Sequence, residues 1–190
     1  MTTHKSARQK GLYHYPKRIG KILGPWWYEI PEASNALDST RSSGIYGKNN
    51  PSQRGDLAPR VDWLEEFPDE AKTYPWCLSV ELKHDKSFEW RRFIQNPIKS
   101  KLQEWWTQCW NDGVKNEYLK AFPLLVFTKN YEKDYVMFDP TFFDRKTQED
   151  IFDLYINTTF TESAVCITLL DNFVKNVSSV DIIEIVKQNK

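Results

Sequence analysis

Residues 76–83 have the sequence Trp76-Cys77-Leu78-Ser79-Val80-Glu81-Leu82-Lys83, and they set the architecture expected of the rest of the chain. Aliphatic residues at every second position, ending at Leu82, alternate with small or polar ones. A period of two predicts a β-strand with its aliphatic side chains on one face and Glu81 and Lys83 on the other. A solvated ion pair would fit this pattern and would contribute little to stability. The alternative is a functional carboxylate and ammonium held side by side on a sheet.

Downstream segments predict the neighbours of this strand. Residues 122–129 are strongly apolar and predict a buried strand, and residues 135–138 predict its neighbour across a polar turn. Between the strand at 76–83 and residue 122, Ser100 is a suitable N-cap for a helix over residues 101–112. This helix has a broad apolar stripe rich in tryptophan, which we expect to pack on the sheet, with Gln108 on its flank. The pattern indicates an α/β fold.

The segment before the central strand is irregular in composition. Residues 39–59 are rich in Ser, Gly, Asn and Pro and predict a loop or loose hairpin, long enough to face a substrate. Residues 61–64 are compatible with a strand or with the start of a turn. Residues 65–72 form an acidic, proline-containing surface segment.

Length and composition narrow the class of protein. A chain of 190 residues with 40% hydrophobic and 27% charged residues is expected to form one soluble globular domain. Its three cysteines are far apart and its three histidines have no zinc-site spacing, which favours reduced thiols in the cytoplasm. The sequence contains no apolar stretch of membrane-spanning length, so no membrane association is expected.

The charge is unevenly distributed although the net charge is zero. Residues 1–28 carry six lysines and arginines and no acid, which leaves −6 on the remainder. We expect residues 1–24 to form a loosely ordered basic arm and residues 25–190 to form the single domain. Such an arm could contact the phosphates of a nucleic acid or could simply be a solvated tail.

The order of motifs resembles the PD-(D/E)XK nuclease superfamily. Gly55-Asp56 precedes the strand that carries Glu81-x-Lys83, and the helix with Gln108 and a further strand follow. The stretch Arg41-Ser42-Ser43-Gly44 is most similar to Holliday junction resolvases and small phage-type endonucleases. The resemblance implies a restriction-endonuclease-like mixed β-sheet core flanked by helices, with the catalytic core at about 38–138. It also implies a Mg²⁺-dependent DNA endonuclease, active in recombination if it is a resolvase.

The resemblance assigns roles to individual residues. Asp56, Glu81 and the backbone carbonyl of Leu82 would hold Mg²⁺, for which Mn²⁺ is expected to substitute. Lys83 would orient or deprotonate the attacking water, and Gln108 would position water or backbone. Because the interval between Asp56 and Glu81 is long, Asp62 is an alternative to Asp56 as the first metal ligand. Asp38 or Glu32 is a candidate for an additional upstream carboxylate.

Two other segments match the letters of the motif. Pro68-Asp69 is followed by Glu70-Ala71-Lys72, and Asp144-Arg145-Lys146 is another acid-x-Lys triplet. Neither lies in an alternating apolar strand, so neither would hold its side chains on a rigid sheet edge. The strand context therefore favours Glu81 and Lys83.

DNA is the expected partner, in the host cytoplasm if the chain is phage-encoded. A resolvase would act as a homodimer, because two strands must be cut symmetrically. The alternative function is a catalytically inactive nucleic-acid-binding or interaction module that keeps the nuclease fold and binds without metal. The candidate phosphate contacts are Lys17, Arg18, Arg41, Lys48 and Arg54.

Overall fold

The architecture is known from a computed structural model, which describes residues 7–40, 55–115, 118–129, 132–143, 156–160 and 163–189. Its helices are α1 Ala7–Tyr28, α2 Val61–Glu66, α3 Pro68–Thr73, α4 Trp90–Gln95, α5 Lys101–Gly113, α6 Leu170–Asn176 and α7 Ser179–Gln188. Its strands are β1 Leu37–Ser39, β2 Leu57–Pro59, β3 Leu78–His84, β4 Val114–Lys115, β5 Tyr118–Leu119, β6 Phe122–Thr128, β7 Tyr135–Phe138, β8 Ile156–Thr159 and β9 Ala164–Leu169.

A mixed five-stranded sheet with the order β3-β6-β7-β9-β8 forms the centre of the fold. β3 and β6 are parallel, with Glu81 opposite Leu125, whereas every other pair in the sheet is antiparallel. The parallel pair requires a crossover, and α4 and α5 lie within it. The predicted α/β fold with a restriction-endonuclease-like mixed sheet is confirmed, as are the strands predicted near residues 78–83, 122–129 and 135–138.

Helix α5 covers one face of the sheet and contacts both β3 and β6. The side chains of Leu102, Trp106 and Cys109 are fully buried there. The Ser100 side chain accepts a hydrogen bond from the backbone N–H of Gln103, which makes Ser100 the N-cap. The predicted helix and the packing of its apolar stripe are therefore confirmed.

Helix α1 covers the opposite face and corrects the expectation of a loose arm. Ile19, Leu23 and Trp27 are completely buried in the main hydrophobic cluster together with Leu78 and Val80 of β3. These α1 residues recur every four positions, so they share one side of the helix. The predicted boundary at residue 24 thus falls inside an ordered helix. No helix within the described ranges is long and apolar enough to cross a lipid bilayer.

Of two local predictions upstream of β3, one is wrong and the other is confirmed in one of its alternatives. Residues 61–64 belong to helix α2 and not to a strand or turn, and Trp63 packs its ring on Phe67 at 5.0 Å between ring centroids. The segment 39–59, predicted as a loop or loose hairpin, contains β2, which pairs antiparallel with β1 as the hairpin alternative requires. Strands of three residues are too short to show an alternation in the sequence. Residues 41–54 lie outside the described part of the chain.

Candidate active site

The polar face of β3 lies beneath helix α5, where Ser79 and Glu81 are buried and Lys83 is partly exposed. The residue Glu81 is 2% exposed, so burial of an ionisable group has to be explained at this position. The Sγ of Cys109 on α5 lies 3.6 Å from the carbonyl oxygen of Ser79. The predicted division of the strand into an aliphatic face and a face bearing Glu81 and Lys83 is confirmed.

Gly55 attaches the preceding loop directly to β3. It forms a bridge to Val80 with a φ of +75°, and an added Cβ would lie 2.3 Å from the Val80 carbonyl oxygen. The next residue, Asp56, donates its backbone N–H to that oxygen at 2.6 Å. Only glycine allows both the positive φ and this close approach. The Gly55-Asp56 pair is thereby held against the strand that carries Glu81.

The Asp56 carboxylate is fixed on the same edge of β3. Its Oδ2 accepts a hydrogen bond of 2.8 Å from the backbone N–H of Leu82. The N–H and C=O of one strand residue point to the same side of the strand. The Leu82 carbonyl therefore points to the edge where Asp56 lies, and away from β6.

Lys83 connects the strand to helix α5. Its Nζ donates to Glu81 Oε1 in a close ion pair and to Gln108 Oε1 at 3.1 Å. The Lys83 side chain is 23% exposed, so the ammonium remains accessible from solvent while the paired carboxylate is buried. Asp56, Glu81, Lys83 and Gln108, which were predicted from distant parts of the sequence, thus form one connected group.

The two carboxyl groups influence each other electrostatically. Burial and then the nearby Asp56 charge raise the pKa of Glu81 to about 7, against the opposing effect of Lys83. Burial also raises the pKa of Asp56, although the Leu82 N–H and Lys83 act in the other direction. Glu81 Oε2 is buried and has no hydrogen-bond partner within the described residues. An unsatisfied buried oxygen of this kind is costly unless a proton or a cation compensates it.

This donor set is suited to Mg²⁺. Such ions are held by one or two carboxylates and complete their shell with waters and substrate phosphates. Asp56, the partnerless Oε2 of Glu81 and the Leu82 carbonyl offer hard oxygen donors on one strand edge. Within the described ranges no group of three or more His, Cys, Asp or Glu residues is placed to hold a metal ion. The site therefore suits an ion that keeps part of its hydration shell, and it does not suit an ion that is fully enclosed by side chains.

The alternative acids occupy other positions. Asp62 is paired with Arg60 at the start of α2, and its side chain is 66% exposed. Asp38 is exposed on β1, where its Oδ1 accepts from the Ser39 N–H at 2.7 Å. Glu32 is exposed in the 3-10 turn Pro31–Asn35. Of the predicted carboxylates, the structure brings Asp56 and Glu81 together.

The predicted basic residues separate into three groups. Lys17 is exposed on α1. Arg18 donates to both carboxylate oxygens of Asp134, at 2.5 and 2.7 Å, and its guanidinium lies 5.2 Å from the centre of the Tyr15 ring. Its charge is engaged in attaching α1 to the segment before β7. Three predicted contacts lie outside the described residues, namely Arg41, Lys48 and Arg54.

The structure describes one of the two other segments that match the letters of the motif. Glu70-Ala71-Lys72 lies on helix α3, whose side chains are not held along a sheet edge. Asp144-Arg145-Lys146 lies outside the described residues. The strand context thus selected the one acid-x-Lys triplet that the structure buries on β3.

Asp112 is a neighbour of the site that the sequence analysis missed. Its charge helps to raise the pKa of Glu81, after the larger effects of burial and Asp56. It follows Gln108 by four residues on α5 and therefore lies on the same side of that helix. The four-residue spacing from Gln108 is the feature of the sequence that could have indicated Asp112. It distinguishes Asp112 from other exposed helical acids only once Gln108 is known to contact Lys83.

The raised pKa of Glu81 predicts a pH-dependent stability in the absence of metal. The unfolded carboxyl ionises near 4.5 and the folded one near 7, so the unfolded chain loses its proton first as the pH rises. The free energy of unfolding should therefore fall between these values, by roughly 2 to 3 kcal/mol from this group. Urea unfolding in EDTA at pH 5 and pH 8 measures the difference, and Glu81→Gln should remove most of it. Equal pH dependence in both proteins would contradict the raised pKa.

Comparison with known proteins agrees with this geometry. A family model described as "Phage putative PDDEXK endonuclease" matches residues 6–184, which is nearly the entire chain and includes α1, β3 and α5. Searches of curated proteins and of solved structures give no significant match. The chain therefore belongs to the phage PDDEXK endonuclease family.

Proposed function

We propose that this protein is a Mg²⁺-dependent endodeoxyribonuclease that hydrolyses phosphodiester bonds at the Asp56–Glu81–Lys83 site. The observation that carries the proposal is the buried Glu81 carboxylate, which shares a strand edge with Asp56 and has one oxygen paired to Lys83 and one without a partner. Family membership supports an endonuclease, and DNA is the substrate that we propose for it.

Each residue has a role that follows from its contacts. Asp56 and Glu81 would hold Mg²⁺ together with the Leu82 carbonyl. The bound ion neutralises phosphate charge and activates water. Lys83 reaches solvent while it is anchored to Glu81 and Gln108, so its ammonium can donate to a phosphate oxygen or to the attacking water. Gln108 restricts the orientation of the Lys83 side chain and is a positioning residue.

Branched DNA is the substrate class that we propose to test first. The stretch Arg41-Ser42-Ser43-Gly44 before Gly55-Asp56 is similar to that of Holliday junction resolvases. An enzyme of that type would act as a homodimer, because symmetric cleavage of two strands needs two active sites. A phage endonuclease without junction preference would instead cut duplex DNA from the same site.

The experiment that tests the function compares supercoiled plasmid with a synthetic four-way junction, each in Mg²⁺, Mn²⁺ or EDTA. We expect cleavage in Mg²⁺ and Mn²⁺ and none in EDTA. A strong preference for the junction would support the resolvase assignment, whereas plasmid nicking without preference would support a general endonuclease. DNA binding in EDTA without cleavage in either metal would contradict the proposal and support an inactive binding module.

The choice between Asp56 and Asp62 gives a separate prediction. Asp56→Asn should lower the initial rate of Mg²⁺-dependent cleavage by about 100-fold or more, because it removes a charged ligand beside Glu81. Asp62→Asn should change the rate less than about threefold, because this side chain forms only an exposed ion pair with Arg60. A larger loss in Asp62→Asn than in Asp56→Asn would reverse the assignment.

A further inference from the structure

The short segment between β3 and α5 presents an unusual combination of exposed side chains. Ile94 is 65% exposed and Ile98 is 63% exposed, which makes them two of the four large hydrophobic residues that stand out on the described surface. The other two, Val61 and Val180, lie on separate helices. Isolated exposed apolar residues are normal, but two within five residues of chain on one segment form a feature that needs an explanation.

This segment is also the most direct candidate for contact with a polyanion. Residues 85–101, which run from the end of β3 through the first residue of α5, contain five lysines and arginines against two acids, on a chain whose net charge is zero. Glu89 pairs with Arg92 at 3.0 Å, and Asp85 pairs with Lys101 at 2.6 Å. Both acids are thus engaged with cations of the same segment. Arg91 and Lys99 are exposed and form no ion pair with any residue that the structure describes.

The two isoleucines are carried on a fixed backbone. Phe88 and Phe93 are 4% and 1% exposed and belong to the cluster beneath α5, so α4 is anchored on both sides of Trp90. The rings of Trp90 and Phe93 are 6.0 Å apart between centroids. Ile94 follows directly after a buried residue and points to solvent. Because its buried neighbours hold α4 in place, the Ile94 side chain is held in an exposed position.

A similar restraint applies to Ile98. It lies in the 3-10 turn Pro97–Lys99, which is closed by a hydrogen bond of 3.1 Å from the Ser100 N–H to the Pro97 carbonyl oxygen. Ser100 is in turn the N-cap of α5. Four residues of chain span at most about 14 Å, so Ile94 and Ile98 can reach neighbouring positions on one ligand.

The position of the segment links it to the active site. It begins directly after β3, and the Lys101–Asp85 ion pair closes it at the start of α5. Gln108, which contacts Lys83, follows Lys101 by seven residues, or about 10 Å along the helix axis. The start of α5 is therefore within reach of a DNA molecule that has a phosphate at Lys83, because the major groove alone is about 12 Å wide.

We propose that Ile94 and Ile98 form an apolar wedge that enters a groove of the bound DNA and partly unstacks the bases, while Arg91 and Lys99 contact the flanking phosphates. The proposal rests on the function proposed above in taking DNA as the partner. Isoleucine is among the side chains that proteins insert between base steps, and unpaired cations beside it supply the contact to the backbone. A deformed duplex or the open centre of a branched DNA would be bound in preference to an undistorted helix.

The test uses the full chain and a DNA duplex in which 2-aminopurine replaces several adenines, in EDTA and in Ca²⁺. The fluorescence of 2-aminopurine should rise when wild-type protein binds, because the base loses its stacking. The double variant Ile94→Ala/Ile98→Ala should lose most of this increase and bind roughly tenfold more weakly, because it forfeits apolar area buried on the bases. Val61→Ala is the matched control, since Val61 is equally exposed but lies on α2, and it should leave both values unchanged.

The basic residues are tested through the salt dependence of binding. Arg91→Ala/Lys99→Ala should lower the slope of log affinity against log salt by about 2, because each substitution leaves one phosphate without its neutralising cation. All substituted side chains are exposed, so we expect unchanged melting temperatures. No rise in fluorescence with wild-type protein, or an increase that persists in the isoleucine variant, would overturn the wedge.

Three further outcomes distinguish this inference from its competitors. Dissociation of a dimer by Ile94→Ala/Ile98→Ala, seen by light scattering with DNA binding unchanged, would overturn the wedge and identify a contact between copies of the chain. Base unstacking by a wild-type protein that cuts no DNA would support the wedge and contradict the proposed nuclease activity. Cleavage without unstacking would contradict the wedge alone.

Discussion

Replacement of Glu81 by Gln is expected to abolish Mg²⁺-dependent DNA cleavage, with a loss of about 1000-fold or more in rate. Glutamine has nearly the same shape but carries no charge, so it cannot provide the anionic ligand or the ion pair that fixes Lys83. The substitution should not destabilise the metal-free protein above pH 7, because it removes the need to bury a charge. Plasmid nicking rates and melting temperatures measured at pH 8 test both parts.

Glu104→Gln is the matched control for this experiment. Glu104 is an exposed acid in the first turn of α5, and its substitution should leave the cleavage rate within about twofold of wild type. Glu81→Gln with cleavage within tenfold of wild type would show that the chemistry takes place elsewhere. Loss of cleavage with a large drop in melting temperature would show that Glu81 is mainly structural.

Gly55→Ala is expected to have the largest effect on stability. Its added methyl group would lie 2.3 Å from the carbonyl oxygen and 2.6 Å from the backbone nitrogen of Val80, and the φ of +75° is unfavourable for alanine. We expect a decrease of about 2 to 4 kcal/mol in the free energy of unfolding, measured by urea denaturation. Relief of the clash must move Gly55 away from β3, so Asp56 should leave its bond to the Leu82 N–H and cleavage should be lost as well.

The control for this variant is Gly20→Ala on helix α1. Its methyl group would lie 3.3 Å from the Leu37 carbonyl oxygen and would need a shift of only a few tenths of an ångström. Its effect should be within about 1 kcal/mol, since alanine also favours the helix. An equal effect of both substitutions, or a Gly55→Ala protein with full activity, would contradict the tight attachment of Asp56 to β3.

Much of the central sheet could be predicted because its signals are local. The alternation in residues 78–83 predicts both the strand and the shared face of Glu81 and Lys83. The Ser100 cap and the apolar stripe predict α5, and uninterrupted apolar runs predict β6 and β7. Each of these patterns arises because a single element has one face or all of its side chains in the core. The pattern can therefore be recognised without knowing which other elements pack against that element.

The N-terminal helix shows where local reasoning failed. Six basic residues without an acid favoured an arm, although Ile19, Leu23 and Trp27 already had the spacing of a buried helical face. Packing on the sheet offsets the poor helix propensity of Pro16 and Pro25, because tertiary packing commonly outweighs the helix propensity of single residues. The same packing engages Arg18 with Asp134, a residue 116 positions away.

Local sequence patterns were enough to predict the central strands, helix α5 and the pair Glu81 and Lys83, because side-chain alternation on one strand is a local property. Long-range contacts place Asp56, and not Asp62, beside that pair, and they bring Gln108 to Lys83. The tertiary fold also buries the Glu81 carboxylate and leaves one of its oxygens unpaired among the described residues. These features depend on contacts between residues 25 or more positions apart, and burial sets their electrostatics. Neither the long-range contacts nor the burial can be read from a local pattern in the sequence.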